Sequence, residues 1–252
     1  MTPLTTHSQT RNFRDNGYLV LKNFLGQAKT REIHDFLDNF LTKTVPTLPR
    51  EIVFYDEVGN SKSLKQIQKL HELDPFFEQL MFSSPFEMLA KELLQSEVRG
   101  VNMQYFDKPP RTSQPTPPHQ DGYYFMLEPN EAVTMWYGLD AADEHNGGVR
   151  YIPGSHKTGM RSHRPTQTIG FSQGITDYDH SDRQQEVAVH SDPGDLLVHH
   201  ALTIHRAEKN HCENRHRRAL GFIYYSVHAK ESPEKRERER ALFEQWKNAG
   251  KI

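Results

Sequence analysis

The amino-acid sequence predicts a mainly β fold of the sandwich or jelly-roll type, with helices packed against it. Two observations carry this prediction. From about Arg99 onward, short apolar segments alternate with turn signals, which is typical of antiparallel sandwiches and barrels. Before that point, apolar residues recur with helical spacing. The length of 252 residues is enough for one large domain or two small ones, and we expect residues 1–252 to form a single domain.

Residues 1–98 are expected to form a mostly helical support. A short apolar strand over residues 18–21 follows the turn Asp15-Asn16-Gly17. A helix is predicted next, because five apolar residues share one helical face: Ile33, Phe36, Leu37, Phe40 and Leu41. A second helix is predicted to begin at Ser84-Pro85-Phe86-Glu87, with serine as its N-cap and proline at its first position.

Residues 99–228 are expected to form the β core. The predicted strands cover residues 101–106, 119–126, 132–139, 149–152, 196–198 and 218–227. Residues 144–148 are predicted to form a turn, in which Asn146-Gly147 is the strongest hairpin signal. The remaining segment, 229–252, is predicted to be a charged, exposed C-terminal helix that begins at Ser232-Pro233.

Composition and charge exclude several classes of function. The formal net charge is −2, so no basic surface for nucleic acid is expected. No apolar run approaches the length of a membrane span, and the polar N-terminus lacks the apolar core of a secretory signal. The single cysteine, Cys212, excludes an intrachain disulfide and suits a reducing compartment. We therefore expect a cytoplasmic protein without a nucleic-acid or membrane partner, with its oligomeric state left open.

The candidate metal ligands begin at His119-Gln120-Asp121. Alternate side chains of a strand share a face, so His119 and Asp121 would point the same way. A distal histidine would complete a set of two imidazoles and one carboxylate, which is the ligand set of non-haem Fe(II) oxygenases. A bare His-x-Asp pair is more often a surface pair. Its position after the proline-rich segment 111–118, at the start of an aromatic strand, favours the metal hypothesis.

Three histidines, His199, His200 and His205, compete for the distal position. His199 or His200 could be structural and donate to the backbone within a packed strand. His205 ends the apolar stretch, at a strand rim where a site would be open to solvent. This position favours His205, with His200 as its main competitor.

Two adjacent arginines, Arg217 and Arg218, open the last predicted strand, so one should face inward and the other outward. The planar guanidinium of the inward residue could bind a carboxylate through two parallel hydrogen bonds. Trp136 is predicted one strand away and could line the same pocket, although tryptophan is more often a core residue.

Taken together, these segments resemble the phytanoyl-CoA dioxygenase family of Fe(II)- and 2-oxoglutarate-dependent oxygenases. The resemblance covers roughly residues 10–228, and its motifs are weak singly but specific in combination. The matching segments are 15–21, 108–110 with 118–121, 146–148 with 152–157, 194–197 with 204–205, and 217–220. The resemblance implies a double-stranded β-helix, a cupin-like jelly roll, with helices from the N-terminal region packed against it.

The resemblance also implies roles for single residues. His119, Asp121 and His205 match the iron ligands, and Arg217 matches the arginine that binds 2-oxoglutarate, with Arg218 as the alternative. Related halogenases carry a small residue in place of the carboxylate ligand. The presence of Asp121 therefore favours hydroxylation or a related oxidation.

Further residues are assigned to the cosubstrate and the substrate. Gln104 and Trp136 match positions that line the 2-oxoglutarate pocket of the family. Tyr123 would share strand parity with Asp121 and point into the site. Arg161 lies in the long polar segment 157–192, where it could contact an anionic substrate. Simple solvation is an equal alternative for these last two side chains.

The resemblance implies an enzyme that uses Fe(II), 2-oxoglutarate and dioxygen, and that releases succinate and CO2. A small, polar or anionic metabolite is the expected substrate. Two alternatives stay open. One is a non-catalytic sensor of the same fold that binds 2-oxoglutarate or metal. The other is a cupin-like hydrolase or isomerase, although cupins generally carry His-x-His where this chain has His119-Gln120-Asp121.

Overall fold

A computed structural model of the chain describes residues 3–57, 59–111, 113–166 and 173–234, together with residues 237, 241, 244 and 248. The helices are α1 (His7–Asn16), α2 (Gln27–Lys43), α3 (Leu70–Leu73), α4 (Pro75–Met81), α5 (Pro85–Leu94), α6 (Gly122–Phe125) and α7 (His180–Gln185). The strands are β1 (Tyr18–Leu21), β2 (Val53–Tyr55), β3 (Leu64–Ile67), β4 (Val98–Asp107), β5 (Thr116–His119), β6 (Leu127–Glu128), β7 (Ala132–Gly138), β8 (Val149–Tyr151), β9 (His163–Pro165), β10 (Gln173–Ile175), β11 (Val187–Ala188), β12 (Leu196–His200), β13 (His205–Ala207), β14 (Arg218–Ser226) and β15 (Lys230–Glu231). Short 3-10 helices cover Val45–Thr47, Ser61–Ser63 and Ser155–Thr158. The predicted C-terminal helix lies largely outside the described residues.

Two antiparallel sheets form the core of the fold. The larger has seven strands in the order β1-β12-β7-β14-β4-β3-β2, and the smaller has four in the order β11-β8-β13-β5. They face each other, because Tyr18 of the larger sheet stacks on Tyr151 of the smaller one with ring centroids 4.6 Å apart. The predicted class, a jelly roll that is mainly β with packing helices, is confirmed.

The helices cover the outer face of the larger sheet. The stripe predicted at residues 33–41 lies on α2, which buries Ile33, Leu37 and Phe40. Helix α5 begins as predicted, with the Ser84 hydroxyl accepting a hydrogen bond from the backbone N–H of Glu87. These helices pack against apolar side chains of β4, β7 and β14 in one continuous cluster. None of the helices in the described ranges is both long and apolar enough to cross a membrane.

Strand alternation in β4 directs side chains to both faces of the larger sheet. Met103 and Tyr105 join the cluster beneath the helices. Phe106 points to the opposite face and stacks on Trp136 of β7, with ring centroids 4.4 Å apart. Gln104 points to the same inner side and accepts a hydrogen bond from Gln66 at 2.8 Å. The inner face of the larger sheet therefore lines the space between the two sheets.

The predicted strand over residues 119–126 is wrong beyond His119, which is the one residue of that range on a strand. Strand β5 ends at His119, which is the last residue paired with β13. Asp121 then has helical torsion angles (φ −59°, ψ −34°) and is followed by the single turn α6. With no strand partner left, the backbone N–H groups of Tyr124 and Phe125 donate to the carbonyl of Asp121 instead.

The structure corrects two other predictions. Residues 15–16 end helix α1, and Gly17 caps that helix at φ 79°, so the predicted turn is a helix terminus. The N-terminal region also contains β2 and β3, which extend the larger sheet beyond β4. The Asn146-Gly147 turn connects β7 to β8, but these strands belong to different sheets and do not form a hairpin.

Candidate metal centre

The two candidate histidine ligands lie side by side on the smaller sheet. His205 of β13 is the direct register partner of His119 of β5, and their ring centroids are 4.2 Å apart. Asp121 lies just beyond β5. One ligand atom from each of these three residues lies within 4.8 Å of the other two. In the described part of the chain this is the one such group of potential metal ligands.

Backbone carbonyls orient both imidazole rings in the same way. Nδ1 of His119 lies 2.8 Å from the Pro117 carbonyl, and Nδ1 of His205 lies 3.0 Å from the Thr203 carbonyl. A carbonyl only accepts, so each Nδ1 carries the proton and each Nε2 keeps its lone pair. Burial lowers the pKa of His205 well below its ordinary value, and the neighbouring histidines lower it further. His205 is therefore neutral, as a metal ligand requires.

The Asp121 carboxylate presents one oxygen to the histidines. Its Oδ1 lies 3.4 Å from Nε2 of His119 and 3.7 Å from Nε2 of His205. Its Oδ2 faces the larger sheet, where it accepts hydrogen bonds from Thr134 Oγ1 at 2.6 Å and His199 Nε2 at 3.0 Å. Burial would raise the pKa of Asp121, but that pKa lies well below its usual value, because hydrogen bonds such as the one from His199 stabilise the carboxylate.

This donor set fits an iron ion. Two neutral imidazoles and one carboxylate on a single face are the ligands of mononuclear non-haem iron sites. The outer hydrogen bonds of the rings fix their orientation, as is usual for metal-binding histidines. The competitor His200 lies outside the group, because its Nδ1 accepts from the backbone of Leu202 and its ring packs on His156.

The two adjacent arginines have different environments. Arg218 faces outward and binds both carboxylate oxygens of Asp140 at 2.9 Å, with Asp38 as a further partner. Arg217 faces inward and is only 5% exposed. Its Nε and Nη1 atoms are buried with no hydrogen-bond partner among the described residues. Its Cζ atom lies 5.1 Å from the ring centroid of Trp136.

Burial lowers the pKa of Arg217 to about 10. Its charged form therefore lacks the stabilisation that a bound anion would supply. The unpaired donors and the inward orientation identify Arg217, rather than Arg218, as the arginine that could hold a carboxylate inside the fold.

A narrow cleft opens at Arg217. It is lined by Trp136, Phe106, Thr116, Gln114, Asp56, Asp107, Lys65 and Lys108. Lys65 pairs with Asp56 at 3.0 Å, and burial lowers the pKa of both lysines. Trp136 therefore borders the cleft as predicted, whereas Lys65 was not singled out from the sequence. Gln104 lies on the same inner face and is held by Gln66.

The structure does not support the reasons for which Tyr123 and Arg161 were predicted to contact the substrate. Tyr123 lies in α6 rather than on a strand, so strand parity does not orient it. Its ring stacks on His163, with centroids 4.1 Å apart. The Arg161 guanidinium donates to Asp177 Oδ1 at 3.1 Å and Asp182 Oδ1 at 2.8 Å. These two carboxylates neutralise Arg161, so it braces the loop instead of facing the site as a free cation.

The sequence analysis did not assign two residues of the larger sheet to the metal centre. Thr134 and His199 are direct register partners on β7 and β12, and both contact Oδ2 of Asp121. From the sequence, either His199 or His200 could be a structural donor to the backbone within a packed strand. No spacing rule relates it to Asp121, because the contact joins two sheets.

Comparisons with known proteins agree with this geometry. Residues 13–219 match the family model described as Phytanoyl-CoA dioxygenase (PhyH). Phytanoyl-CoA dioxygenase 1 of Oryza sativa subsp. japonica is 28% identical over 240 residues, which cover 81% of this chain and 84% of the relative. A protein of Stutzerimonas stutzeri named probable alpha-ketoglutarate-dependent hypophosphite dioxygenase is 24% identical over 215 residues, covering 83% of this chain and 75% of that protein.

A solved structure supports the same relationship. The crystal structure of EvdO2 from Micromonospora carbonacea var. aurantiaca, complexed with 2-oxoglutarate, matches with a TM-score of 0.72 and 25% identity. The match covers 92% of this chain and 95% of that one. The likeness therefore extends over nearly the whole fold, including both sheets and the helices packed against them.

Proposed function

This chain belongs to the phytanoyl-CoA dioxygenase family and is an Fe(II)- and 2-oxoglutarate-dependent dioxygenase, and we propose that it hydroxylates a small, polar or anionic metabolite. The metal centre in this proposal is His119, Asp121 and His205. The observation that carries it is the convergence of these three side chains within 4.8 Å at a buried site. Arg217, a buried cation with unpaired donors, supports a carboxylate cosubstrate.

Each residue has a defined task at this centre. His119 and His205 offer Nε2 lone pairs, and the backbone carbonyls behind them prevent the rings from turning. Asp121 offers Oδ1 and compensates part of the metal charge. Bound iron supplies the oxidation chemistry, in which 2-oxoglutarate and dioxygen yield succinate, CO2 and a hydroxylated substrate. The protein contributes geometry and the exclusion of water.

Arg217 is the proposed partner of the distal carboxylate of 2-oxoglutarate. A bound carboxylate would pair with buried N–H donors of this guanidinium and supply a negative charge that opposes the effect of burial on its pKa. Trp136 stacks against this guanidinium from one side and is itself backed by Phe106. These contacts leave the guanidinium with a defined orientation, which is an advantage for bidentate binding.

The loop beside the metal centre, described over residues 157–166 and 173–192, is an argument for a small substrate. Gln120, between the two ligands of the His-x-Asp pair, donates to the Gly159 carbonyl at 2.9 Å and accepts from the Arg161 backbone at 2.8 Å. Tyr124 bonds the backbone of Gln173 at 3.0 Å through its hydroxyl. The loop is thus fastened to the ligand segment itself.

The groups that this loop brings near the site are polar or aromatic, and Tyr123 with His163 forms one stacked pair there. Such a surface suits a small molecule with hydrogen-bonding groups. The name of the Stutzerimonas stutzeri relative, which refers to a small phosphorus oxyanion, supports the anionic option for this chain.

A substrate screen under aerobic conditions with Fe(II) and 2-oxoglutarate tests the proposal. Small carboxylic acids, phosphorus oxyanions and zwitterions are compared with acyl-coenzyme A thioesters, and succinate is measured together with substrate loss. We expect coupled turnover of a member of the small polar set. Coupled turnover of thioesters alone would contradict the substrate class, whereas no succinate with any compound would contradict the dioxygenase assignment.

A further inference from the structure

The oxygen of Asp121 that points away from the candidate metal is bound by the larger sheet. Thr134 and His199, which are opposite each other on β7 and β12, both hydrogen-bond Oδ2. Oδ1 of the same carboxylate faces His119 and His205. The two oxygens of this carboxylate therefore have separate partners, one set on each sheet.

A second hydrogen bond defines the orientation of His199. Its Nδ1 lies 3.0 Å from the hydroxyl of Tyr151 on the smaller sheet. The carboxylate of Asp121 only accepts, so Nε2 of His199 donates to it, and Nδ1 of the neutral ring accepts from Tyr151. Burial raises the pKa of Tyr151 well above its ordinary value, which keeps this hydroxyl protonated as a donor.

The whole arrangement is buried. His199 and Tyr151 have no exposed surface, and Thr134 is 5% exposed. Tyr18, which is the register partner of His199 on β1, stacks on Tyr151 with an interplanar angle of 12°. Side chains in such a packed setting cannot turn without leaving polar groups unpaired.

We infer that His199 is a positioning residue for Asp121: together with Thr134 it holds Oδ2 away from the metal, so that Asp121 binds through Oδ1 alone. This inference rests on the proposed function. It concerns the number of open positions at the metal. An octahedral ion has six, of which the three side chains take three and a chelating 2-oxoglutarate takes two. A carboxylate bound through both oxygens would occupy the position that dioxygen needs.

Metal titration of chosen variants tests the role of His199. His199→Leu keeps the apolar bulk but removes the donor, whereas His199→Gln offers an N–H at similar reach. Tyr151→Phe leaves the ring in place and removes the hydroxyl that orients His199. His200→Leu is the matched control, because His200 is a neighbouring histidine in the same strand without contact to Asp121.

Co(II) is the probe, because its absorption intensity falls as its coordination number rises. We expect His199→Leu to bind Co(II) about 10- to 100-fold more weakly than the wild type and with a weaker absorption band. His199→Gln should restore most of the affinity, and His200→Leu should match the wild type. A residue with a purely structural role would change the thermal stability of the metal-free protein but not the Co(II) spectrum.

The outcomes separate this inference from the proposed function. A wild type that binds no Co(II) would contradict both. A wild type that binds Co(II), with His199→Leu equal to it in affinity and spectrum, would overturn only the role of His199. If His199→Leu does not fold, Tyr151→Phe decides: a weaker affinity and an altered spectrum support the inference, and wild-type behaviour overturns it.

Discussion

Replacing Arg217 with methionine should stabilise the protein in the absence of 2-oxoglutarate and abolish 2-oxoglutarate binding. Both effects have one cause. Arg217 is a buried cation whose Nε and Nη1 atoms have no partner among the described residues. Removing such a charge relieves a desolvation penalty in the free protein, while it deletes the proposed partner of the cosubstrate carboxylate.

The size of the stabilisation follows from the pKa of Arg217, which burial lowers from 12.5 to about 10. Each pKa unit corresponds to about 1.4 kcal/mol, so the charged form carries a penalty of about 3 kcal/mol in the free protein. The cation–π contact with Trp136 offsets about 1–2 kcal/mol of this desolvation penalty. The net gain of about 1–2 kcal/mol should raise the Tm by about 2–8 °C for a chain of this size.

Thermal unfolding of the metal-free protein and calorimetric titration with 2-oxoglutarate measure the two effects. Arg217→Lys should weaken 2-oxoglutarate binding about ten- to hundredfold, because a point charge replaces a planar fork. Arg218→Met is the control: it loses the ion pair with Asp140 and should lower the Tm slightly, with unchanged 2-oxoglutarate affinity. A lower Tm for Arg217→Met, or wild-type affinity for 2-oxoglutarate, would refute the reasoning.

Three further predictions concern the metal, pH and the loop. His205→Ala should abolish turnover and weaken Mn(II) binding by more than about 100-fold, because losing a ligand costs more than the roughly 10- to 100-fold loss expected for an outer hydrogen-bond partner, and a larger loss in His200→Ala would reassign the distal ligand. Burial lowers the pKa of His200 to about 4, so the protonated form is disfavoured in the folded state and stability is lost as the pH falls from about 6.5 to 4. His200→Gln should flatten this dependence by about 3 kcal/mol in denaturant titrations, and an unchanged pH profile would contradict it. Arg161→Leu should speed hydrogen exchange in residues 157–166 and 173–192, since Asp177 and Asp182 lose their shared partner, and it should leave metal affinity unchanged. Exchange as slow as in the wild type would show that the ion pairs do not brace the loop.

Elements with a plain periodicity could be predicted from the sequence. The apolar stripe of α2, the serine cap of α5 and the alternating strands β4, β7 and β14 all lie close to the predicted positions. In each case the neighbouring residues contain the pattern that determines the element. The helical turn after His119 could not be predicted in this way. It forms where the ladder with β13 ends, and that ending depends on a segment distant in the chain.

The candidate ligand residues could likewise be predicted from the sequence, because a His-x-Asp pair and a distal histidine are chemically specific together. Their convergence owes little to the strand alternation that suggested it, since Asp121 is not on a strand. Their roles in metal binding stay predictions until the titrations above are made. The same holds for Gln104 and Tyr123 as cosubstrate and substrate residues.

Sequence patterns were enough to predict the fold class, the candidate ligand types and the pair of arginines of which one should face inward. The three-dimensional arrangement was needed to show that Arg217 faces inward, that Arg161 is neutralised by two carboxylates, and that His199 contacts Asp121. This difference arises because periodicity describes neighbours along one element. Charge pairing and hydrogen bonds between two facing sheets depend on how those sheets are brought together, and no local pattern contains that information.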